Sequence, residues 1–158
     1  MSNTTDFRQA LGRFATGVCL VTVNDPEHGP LATTVNSFSS VSLDPPLVLW
    51  SIQNSSDHLA VYTECAHFGI SVLKAEQAEL SGHYAQRGGH AALAQHFIEG
   101  AQGEPQFIDA LAHFTCAIHA VHPAGDHHII VGEVQHFESA DADPLVFYAG
   151  GYRRLSAD

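Results

Sequence analysis

The sequence has few positively charged residues. Only six of its 158 residues are Lys or Arg, against 17 Asp and Glu, and the formal net charge at pH 7 is −11. A protein with this charge repels the phosphates of nucleic acids and of anionic membranes, so we expect neither as a partner. A phosphate-bearing ligand would have to bind mainly through backbone N–H groups and side-chain hydroxyls, because few cationic side chains are available.

Cysteines and long apolar segments are also scarce. The three cysteines, Cys19, Cys65 and Cys116, are far apart and odd in number, which predicts neither a disulfide framework nor a zinc site of paired cysteines. Cys19 and Cys116 lie in apolar runs, and we expect both to be core residues. No apolar run approaches the roughly 20 residues that span a bilayer, and no signal peptide is evident, so we expect a cytoplasmic protein.

Several common functional motifs are missing. The sequence contains neither GxGxxG nor GxxxxGK followed by Ser or Thr, so a nucleotide cofactor would not be held by a Rossmann or P-loop cradle. The twelve histidines include no HExxH, and His119 and His122 would point to opposite faces of a strand, so we predict no metal site. The absence of GxSxG argues against a hydrolase with a serine nucleophile.

The hydrophobic pattern predicts a single domain over residues 1–158 that is mainly β with some α-helix. We predict helices at 6–15, 58–64 and 75–86, and strands at 18–23, 31–36, 47–52, 68–73, 114–121, 129–137 and 145–148. Residues 102–105 are expected to be a mobile loop. Because strands outnumber helices and most connections are short, we favour a closed or nearly closed antiparallel barrel with flanking helices over a doubly wound parallel sheet.

The most unusual stretch is residues 33–47, TTVNSFSSVSLDPPL, in which hydroxyl side chains are dense. Two interpretations are open: the hydroxyls receive a polar ligand with a flat apolar part, or they merely satisfy strand edges. Two further features favour the ligand. Residues 53–57 form a polar loop that caps the start of a predicted helix, where N–H groups could bind a phosphate. The turn Gly125-Asp126-His127 places a carboxylate and an imidazole at the end of a strand.

Four motifs occur in order along the chain: ATGV at 15–18, TVNSFSSVSLDPPLVLW at 34–50, GDHHIIVGEV at 125–134 and PLVFYAGGYRRL at 144–155. Together they resemble the flavin reductase family, the small reductase components of two-component flavin monooxygenases, over residues 7–155. The resemblance implies a split β-barrel, a homodimer, FMN or FAD as the flavin, and NADH or NADPH as the hydride donor. It also implies that reduced flavin passes to a separate oxygenase component.

The resemblance further implies which residues bind the flavin. The ring and the ribityl chain would lie against residues of the hydroxyl-rich stretch, namely Thr34, Val35, Asn36, Ser37 and Ser40. The phosphate would face the polar loop, through Asn54, Ser55 and Ser56. Arg87 would contact the phosphate or the adenosine.

Contacts to the nicotinamide are implied by the last two motifs. His127 would be the catalytic residue, whose imidazole hydrogen-bonds the carboxamide or the flavin edge and aligns hydride donor and acceptor. Tyr152 and Arg153 would contact the flavin or NAD(P)H. The scarcity of cations favours NADH over NADPH, whose extra phosphate needs one, whereas the choice between FMN and FAD stays open.

Two departures from the family pattern and one alternative function accompany this resemblance. Ala32 stands where the family often has glycine. Ser56-Asp57-His58 stands where Ser-x-Thr is common, which places a carboxylate beside the expected phosphate site. The alternative function is a non-catalytic electron carrier that binds flavin or heme in the same kind of barrel.

Overall fold

The computed structural model describes residues 3–156, which form mainly antiparallel strands. The α-helices are α1 (Thr4–Leu11), α2 (Leu59–Glu64) and α3 (Ala78–Ala85). The strands are β1 (Cys19–Asp25), β2 (Gly29–Val35), β3 (Ser39–Leu43), β4 (Pro46–Gln53), β5 (His67–Val72), β6 (Phe97–Glu99), β7 (Pro105–Phe107), β8 (Ala112–Ala124), β9 (His127–Ser139), β10 (Val146–Tyr148) and β11 (Gly151–Arg153). Seven strands form one sheet in the order β2-β1-β5-β8-β9-β4-β3, and β6–β7 and β10–β11 form hairpins. The predicted antiparallel architecture with flanking helices is confirmed.

Strand β1 is buried on both faces because it lies between two hydrophobic clusters. Its residue Cys19 packs into a cluster around Trp50, whereas the next residue, Leu20, packs with Tyr84 of α3. A strand covered on both faces needs apolar residues at successive positions, which explains the run VCLVTV. Cys116, the second cysteine predicted to be in the core, is buried in the first cluster as expected.

Within the described residues, the seven-stranded sheet has two edges, β2 and β3, which are joined by residues 36–38. Ser37 fastens this connection to β4. Its hydroxyl oxygen accepts a hydrogen bond from the Ser51 N–H at 2.9 Å, and the hydroxyl donates to the Ser51 carbonyl at 3.3 Å. The side chain thus takes the place of a strand partner just before β3 begins, and it fixes this part of the hydroxyl-rich stretch to β4.

Two helices begin at positions other than those predicted. Helix α1 begins at Thr4, because the Asn3 side chain caps it by accepting a hydrogen bond from the Asp6 N–H at 2.8 Å. Helix α3 begins at Ala78, because the Gln77 N–H is bound to the Lys74 carbonyl at 3.0 Å and the preceding residues form a turn that is tied to Asp143 through the Ala75 N–H at 2.9 Å. Both predicted start positions are wrong. The spacing of apolar residues locates a helix, but the hydrogen bonds that determine where it begins are made by residues outside that spacing.

Helix α2 is short and is not capped by the polar loop. It spans six residues, and the N-cap position is His58, whose side chain makes no capping hydrogen bond. The Ser56 hydroxyl instead accepts a hydrogen bond from the His58 N–H at 3.2 Å, within the preceding turn. Residues 54–57 are therefore a turn between β4 and α2, and the prediction that they cap the helix is wrong. None of the described helices has the length and apolar character needed to cross a membrane.

The predicted mobile loop at 102–105 is wrong, because a buried carboxylate fixes this segment. Glu104 is only 2% exposed. Its Oε1 accepts hydrogen bonds from Nε2 of His113 at 3.1 Å and from the Thr115 hydroxyl, and its Oε2 accepts one from the Gln102 N–H at 3.0 Å. These partners, two of which lie on β8, hold the β6–β7 hairpin against the main sheet.

The same network includes a serine, but it is not a hydrolase site. The Ser71 hydroxyl lies 2.8 Å from Nδ1 of His113, so Ser71, His113 and Glu104 are hydrogen-bonded in series. All three residues are buried. A substrate could not reach the serine oxygen, and the series therefore joins β5 and β8 to the hairpin.

Gly132 on β9 is a position where the barrel interior leaves no space for a side chain. A β-carbon there would lie 2.6 Å from Cζ of Phe68 and 3.0 Å from Cβ of Cys116. We expect Gly132→Ala to lower the free energy of unfolding by about 1–3 kcal/mol through overpacking, as measured by urea denaturation. Gly82→Ala in α3 is the matched control, since a β-carbon added at that position would meet nothing within 4 Å. It should stabilise the protein by about 0.5–1 kcal/mol, and an equal loss in both variants would contradict the packing argument.

Candidate active site

A cavity of about 510 Å³ is lined by the C-terminal ends of β2 and β4. Its wall consists of residues 33–37 and 50–53, the turn residues 55–57, and the single residues Ala85, Arg87, His90 and His127. The volume is within the range of roughly 300–1,000 Å³ that is usual for small-molecule sites. The fold therefore brings together the hydroxyl-rich stretch, the polar loop and His127, which are far apart in the sequence.

Most of the predicted flavin contacts line this cavity. Those that do are Thr34, Val35, Asn36, Ser37, Ser55, Ser56 and Arg87. Ser40 is outside the lining, on the edge strand β3, where it pairs with Val48. Asn54 is also outside the lining, because its side chain is bound to the turn between β8 and β9.

The end of β2 is hydrogen-bonded to α3, and α3 is in turn hydrogen-bonded to the β10–β11 hairpin. The Thr34 hydroxyl donates a hydrogen bond to the Ser81 carbonyl at 2.7 Å, and the Ser81 hydroxyl lies 2.7 Å from the hydroxyl of Tyr152. Because its hydrogen is used, the Thr34 hydroxyl offers a ligand only its acceptor lone pairs. The predicted NAD(P)H contacts Tyr152 and Arg153 lie on β11 outside the cavity lining, and Arg153 donates to the Tyr152 carbonyl at 3.0 Å.

The loop after β4, which also lines the cavity, forms a tight turn. The Ser56 N–H donates to the Gln53 carbonyl at 3.1 Å, and the Ser55 hydroxyl donates to the Gln53 side chain at 3.3 Å. Among the described lining residues, Arg87 is the one cation and Asp57 is the one carboxylate. Their charges offset each other, so hydroxyl and N–H groups would provide most of the contacts to a phosphate.

A second cavity of about 720 Å³ is larger but unsuited to an anionic ligand. Its lining contains five carboxylate residues and, among the described residues, no Lys or Arg; the carboxylates are Asp25, Glu27, Asp57, Glu64 and Glu104. A phosphate placed there would be repelled. The described residues also contain no group of three or more His, Cys, Asp or Glu arranged to hold a metal ion. The smaller cavity is therefore the candidate active site.

His127 presents one ring nitrogen to this cavity. Its Nδ1 lies 2.7 Å from Oδ1 of Asp126. Because a carboxylate only accepts hydrogen bonds, Nδ1 carries the hydrogen, and Nε2 is left for a ligand. The hydrogen bond from His127 lowers the pKa of the Asp126 carboxyl below its usual value. Asp126 therefore stays ionised at neutral pH and fixes the tautomer of the imidazole.

Sequence reasoning missed several lining residues, among them Trp50 and His90. Trp50 lies in a buried strand as predicted, and its buried Nε1–H has no hydrogen-bond partner among the described residues. His90 is brought to the site by Ala32, whose N–H donates to the His90 carbonyl at 2.8 Å. No local pattern signals this contact across 58 positions. Ala32 itself is buried and is not a lining residue.

The family model of the flavin reductase like domain matches residues 11–156. Over 154 residues, the chain is 48% identical to the FMN reductase (NADH) SmoA of Agrobacterium fabrum, with coverage of 98% of this chain and 87% of that protein. Over 153 residues, it is 42% identical to the NADH-dependent flavin reductase of a Rhodococcus species, with coverage of 94% and 84%.

Solved structures agree with this assignment. The flavin reductase component of a bacterial two-component tryptophan halogenase superposes with a TM-score of 0.90 at 38% identity, and 99% of this chain and 100% of that chain are covered. The NADH:FAD oxidoreductase of Streptomyces globisporus, in complex with NAD and FAD fragments, superposes with a TM-score of 0.90 at 34% identity, and 99% and 94% are covered. The predictions of a split β-barrel and of a flavin-reducing oxidoreductase are thereby confirmed. The chain belongs to the flavin reductase family.

Proposed function

We propose that this protein transfers hydride from NADH to FMN or FAD in the 510 Å³ cavity and supplies the reduced flavin to a separate oxygenase. The cavity itself is the observation that carries the proposal. It joins a hydroxyl-bearing strand end, a turn with one nearby cation, and an imidazole whose Nε2 is left for a ligand. A flavin has three matching parts, which are a flat ring, a polyol chain and a phosphate.

The lining residues bind the flavin along its length. The ring and the ribityl chain lie against residues 34–37, where Val35 stands among three hydroxyl and amide side chains. The phosphate lies toward Ser55, Ser56 and Arg87. When bound, the flavin supplies the ring that accepts the hydride, and the protein supplies binding and alignment.

His127 aligns the nicotinamide with the flavin. Its Nε2 hydrogen-bonds the carboxamide or the flavin edge, while Asp126 holds the ring through Nδ1. NADH is the preferred donor because Arg87 is the one Lys or Arg among the described lining residues, and binding the flavin phosphate leaves no second cation for NADPH. The names of two relatives specify NADH as well.

An activity assay tests this function directly. Purified protein with NADH and excess FMN or FAD should oxidise NADH steadily, and NADPH should be oxidised more slowly. The absence of turnover with both flavins and both nicotinamides would refute the proposal. An absorption spectrum recorded beforehand separates the alternatives, since a Soret band would indicate heme and a tightly held yellow flavin that NADH cannot reduce would indicate an electron carrier.

Arg87 provides a test of how the phosphate is bound. Because it is exposed, we expect Arg87→Ala to raise the Kd of FMN only about three- to fivefold, at low ionic strength. Riboflavin lacks the phosphate, so its Kd should not change. Arg13→Ala removes the same charge outside the lining and should alter neither Kd. Equal losses of affinity for FMN and riboflavin would contradict a phosphate contact.

The oxygenase partner is supported by the kinds of proteins that this chain is similar to. These include the reductase component of 4-hydroxyphenylacetate 3-monooxygenase of Thermus thermophilus and that of the tryptophan halogenase. Neither name identifies the oxygenase that this protein would serve. Reduced flavin delivered by diffusion needs no protein contact, so the flavin output of this protein should support any oxygenase that binds the same reduced flavin.

A homodimer is supported by apolar side chains that the single chain leaves exposed. The apolar residues of α1 and the segment after it face outward, with Phe7 59%, Leu11 58% and Phe14 79% exposed. Leu43 and Phe137 on the main sheet are 97% and 69% exposed. Such residues are commonly covered in oligomers. Light scattering should give twice the mass of one chain, and a monomeric mass at micromolar concentration would refute the dimer.

We also propose a cytoplasmic location. The three cysteines are free. Unpaired thiols are usual in a reducing compartment.

A further inference from the structure

Asn54 makes three hydrogen bonds to the turn that carries His127. Its backbone N–H donates to the Asp126 carbonyl at 2.9 Å, and its side-chain Nδ2 donates to the Gly125 carbonyl at 3.2 Å. Its Oδ1 lies 2.6 Å from Nδ1 of His128. A residue that is outside the cavity lining therefore holds the backbone before His127 and the side chain of the residue after it.

Hydrogen-bonding roles allow only one orientation of the Asn54 amide. A backbone carbonyl only accepts, so the group that faces Gly125 must be the NH₂ of the amide. This leaves Oδ1 facing His128, and Nδ1 of His128 must then carry the hydrogen. The contacts to Gly125 and His128 thus fix one rotamer of Asn54 and one tautomer of His128.

The turn needs restraints of this kind because it lies at the end of the sheet. His127 is the first residue of β9, and its pairs with Gln53 and Ala124 are the last ones in the two ladders that contain it. Asp126, the residue before His127, is paired in neither ladder and is exposed. Ladder ends open more readily than ladder centres, so bonds from beyond the ladder determine how well His127 is held.

Asn54 contacts His128 on the face of the strand that is opposite to the cavity. Successive residues of a strand point to opposite faces. His127 lines the cavity, so His128 points away from it and meets Asn54 there. Holding the ring of His128 on the outer face limits rotation of the strand end, and the ring of His127 keeps its direction into the cavity.

We propose that Asn54 is a positioning residue for His127, acting through the Gly125 carbonyl and the His128 ring rather than by contact with the flavin phosphate. The inference rests on the proposed function, since it takes His127 to align the nicotinamide. Misplacement of an aligning group by about 1 Å can cost about 100-fold in rate. Loss of the Asn54 side chain should therefore lower the rate of hydride transfer without weakening flavin binding.

Steady-state kinetics with NADH and fluorescence titration with FMN give the first test. We expect Asn54→Ala to lower kcat/KM for NADH about tenfold, less than complete removal of the His127 ring, and to leave the Kd of FMN within about twofold. His128→Ala should cause a smaller loss. His128→Asn keeps an N–H donor near the position of Nδ1 and should restore most of the rate. His136→Ala, at an exposed position on the same strand, is the control and should change neither quantity.

A double variant separates positioning from a general structural role. If Asn54 acts through His127, then Asn54→Ala should have almost no further effect on kcat/KM once His127 is alanine. Two fold-losses that multiply would overturn the inference. An increase in the Kd of FMN larger than the loss in kcat/KM, with riboflavin unaffected, would overturn it in favour of a phosphate contact.

Hydrogen exchange of the flavin-free protein provides a readout that does not depend on activity. Asn54→Ala should speed amide exchange in the peptide that contains residues 124–128, whereas His136→Ala should not. Unchanged exchange there would overturn the inference even if the enzyme turns over. If the wild-type protein reduces flavin but His127→Ala keeps the full rate, the proposed function stands and the positioning role fails. If the wild-type protein oxidises no nicotinamide, the proposed function fails and so does the role in hydride transfer.

Discussion

Replacing His127 with alanine is expected to lower kcat/KM for NADH by about 100-fold and to leave the Kd of the flavin within about threefold. The hydrogen bond from Nδ1 to Asp126 at 2.7 Å leaves Nε2 as the nitrogen that can align the nicotinamide. Alanine removes that nitrogen but keeps the hydroxyl groups and the cation to which we assign flavin binding. The rate of hydride transfer should therefore fall much more than flavin affinity.

Stopped-flow measurement of flavin reduction, together with fluorescence titration of the flavin, checks this result. His127→Gln places an amide group near the position of Nε2, and because its oxygen can accept the hydrogen bond that Nε2 accepts, it should recover part of the rate. His136→Ala removes a histidine from an exposed position of the same strand, outside the cavity lining, and should leave the rate unchanged. A His127→Ala protein that reduces flavin at the wild-type rate would exclude His127 from the reaction.

Glu104→Ala is expected to produce the largest loss of stability, about 3–5 kcal/mol in the free energy of unfolding. The carboxylate is buried and accepts hydrogen bonds from His113, Thr115 and the Gln102 N–H. Alanine leaves the buried donors of His113 and Thr115 without an acceptor and removes the link between the β6–β7 hairpin and β8. Urea denaturation measures the loss, and Glu99→Ala, at an exposed position of the same hairpin, should cost well under about 1 kcal/mol.

The same carboxylate should make stability depend on pH. Burial by itself would raise the pKa of Glu104, but the hydrogen bonds from His113, Thr115 and backbone N–H groups outweigh it and hold the pKa below its usual value. A group whose pKa is lower in the folded state stabilises the protein above its unfolded pKa of about 4.3 and loses that contribution as the pH falls through the folded value. The free energy of unfolding should therefore decline on acidification below about pH 5.

Glu104→Gln isolates this dependence, because glutamine keeps the shape of the side chain but does not titrate. Its free energy of unfolding should be lower than that of the wild type at neutral pH, since an NH₂ group would face donors in place of one oxygen. Its decline between about pH 5 and pH 3 should be smaller than that of the wild type. An identical acid decline in both proteins would show that other carboxylates cause it.

Local sequence patterns predicted much of the architecture. The β-branched run at residues 18–23, the alternation at 68–73 and the Gly-containing turn at 125–126 are each set by contacts within a strand or between neighbours in the chain, so periodicity and turn chemistry reveal them. The motifs at 34–50 and 125–134 indicated the family, because they combine turn residues, hydroxyls and apolar positions in one order. Six of the 16 residues that line the cavity come from these two motifs, and most of the others directly follow the first of them in the chain.

Sequence motifs alone were enough to predict the fold class, the family and most of the stretches that line the cavity. Which of their side chains point into the cavity could be seen only in the folded chain, because that depends on contacts between residues far apart in the sequence. Asn54 is adjacent to Ser55, yet hydrogen bonds to residues 71 and 74 positions away turn its side chain from the cavity to the turn beside His127. His90 joins the lining through Ala32, and Glu104 becomes a buried anchor through His113 and Thr115. No local pattern encodes such pairs, since each partner is chosen by the packing of the whole sheet.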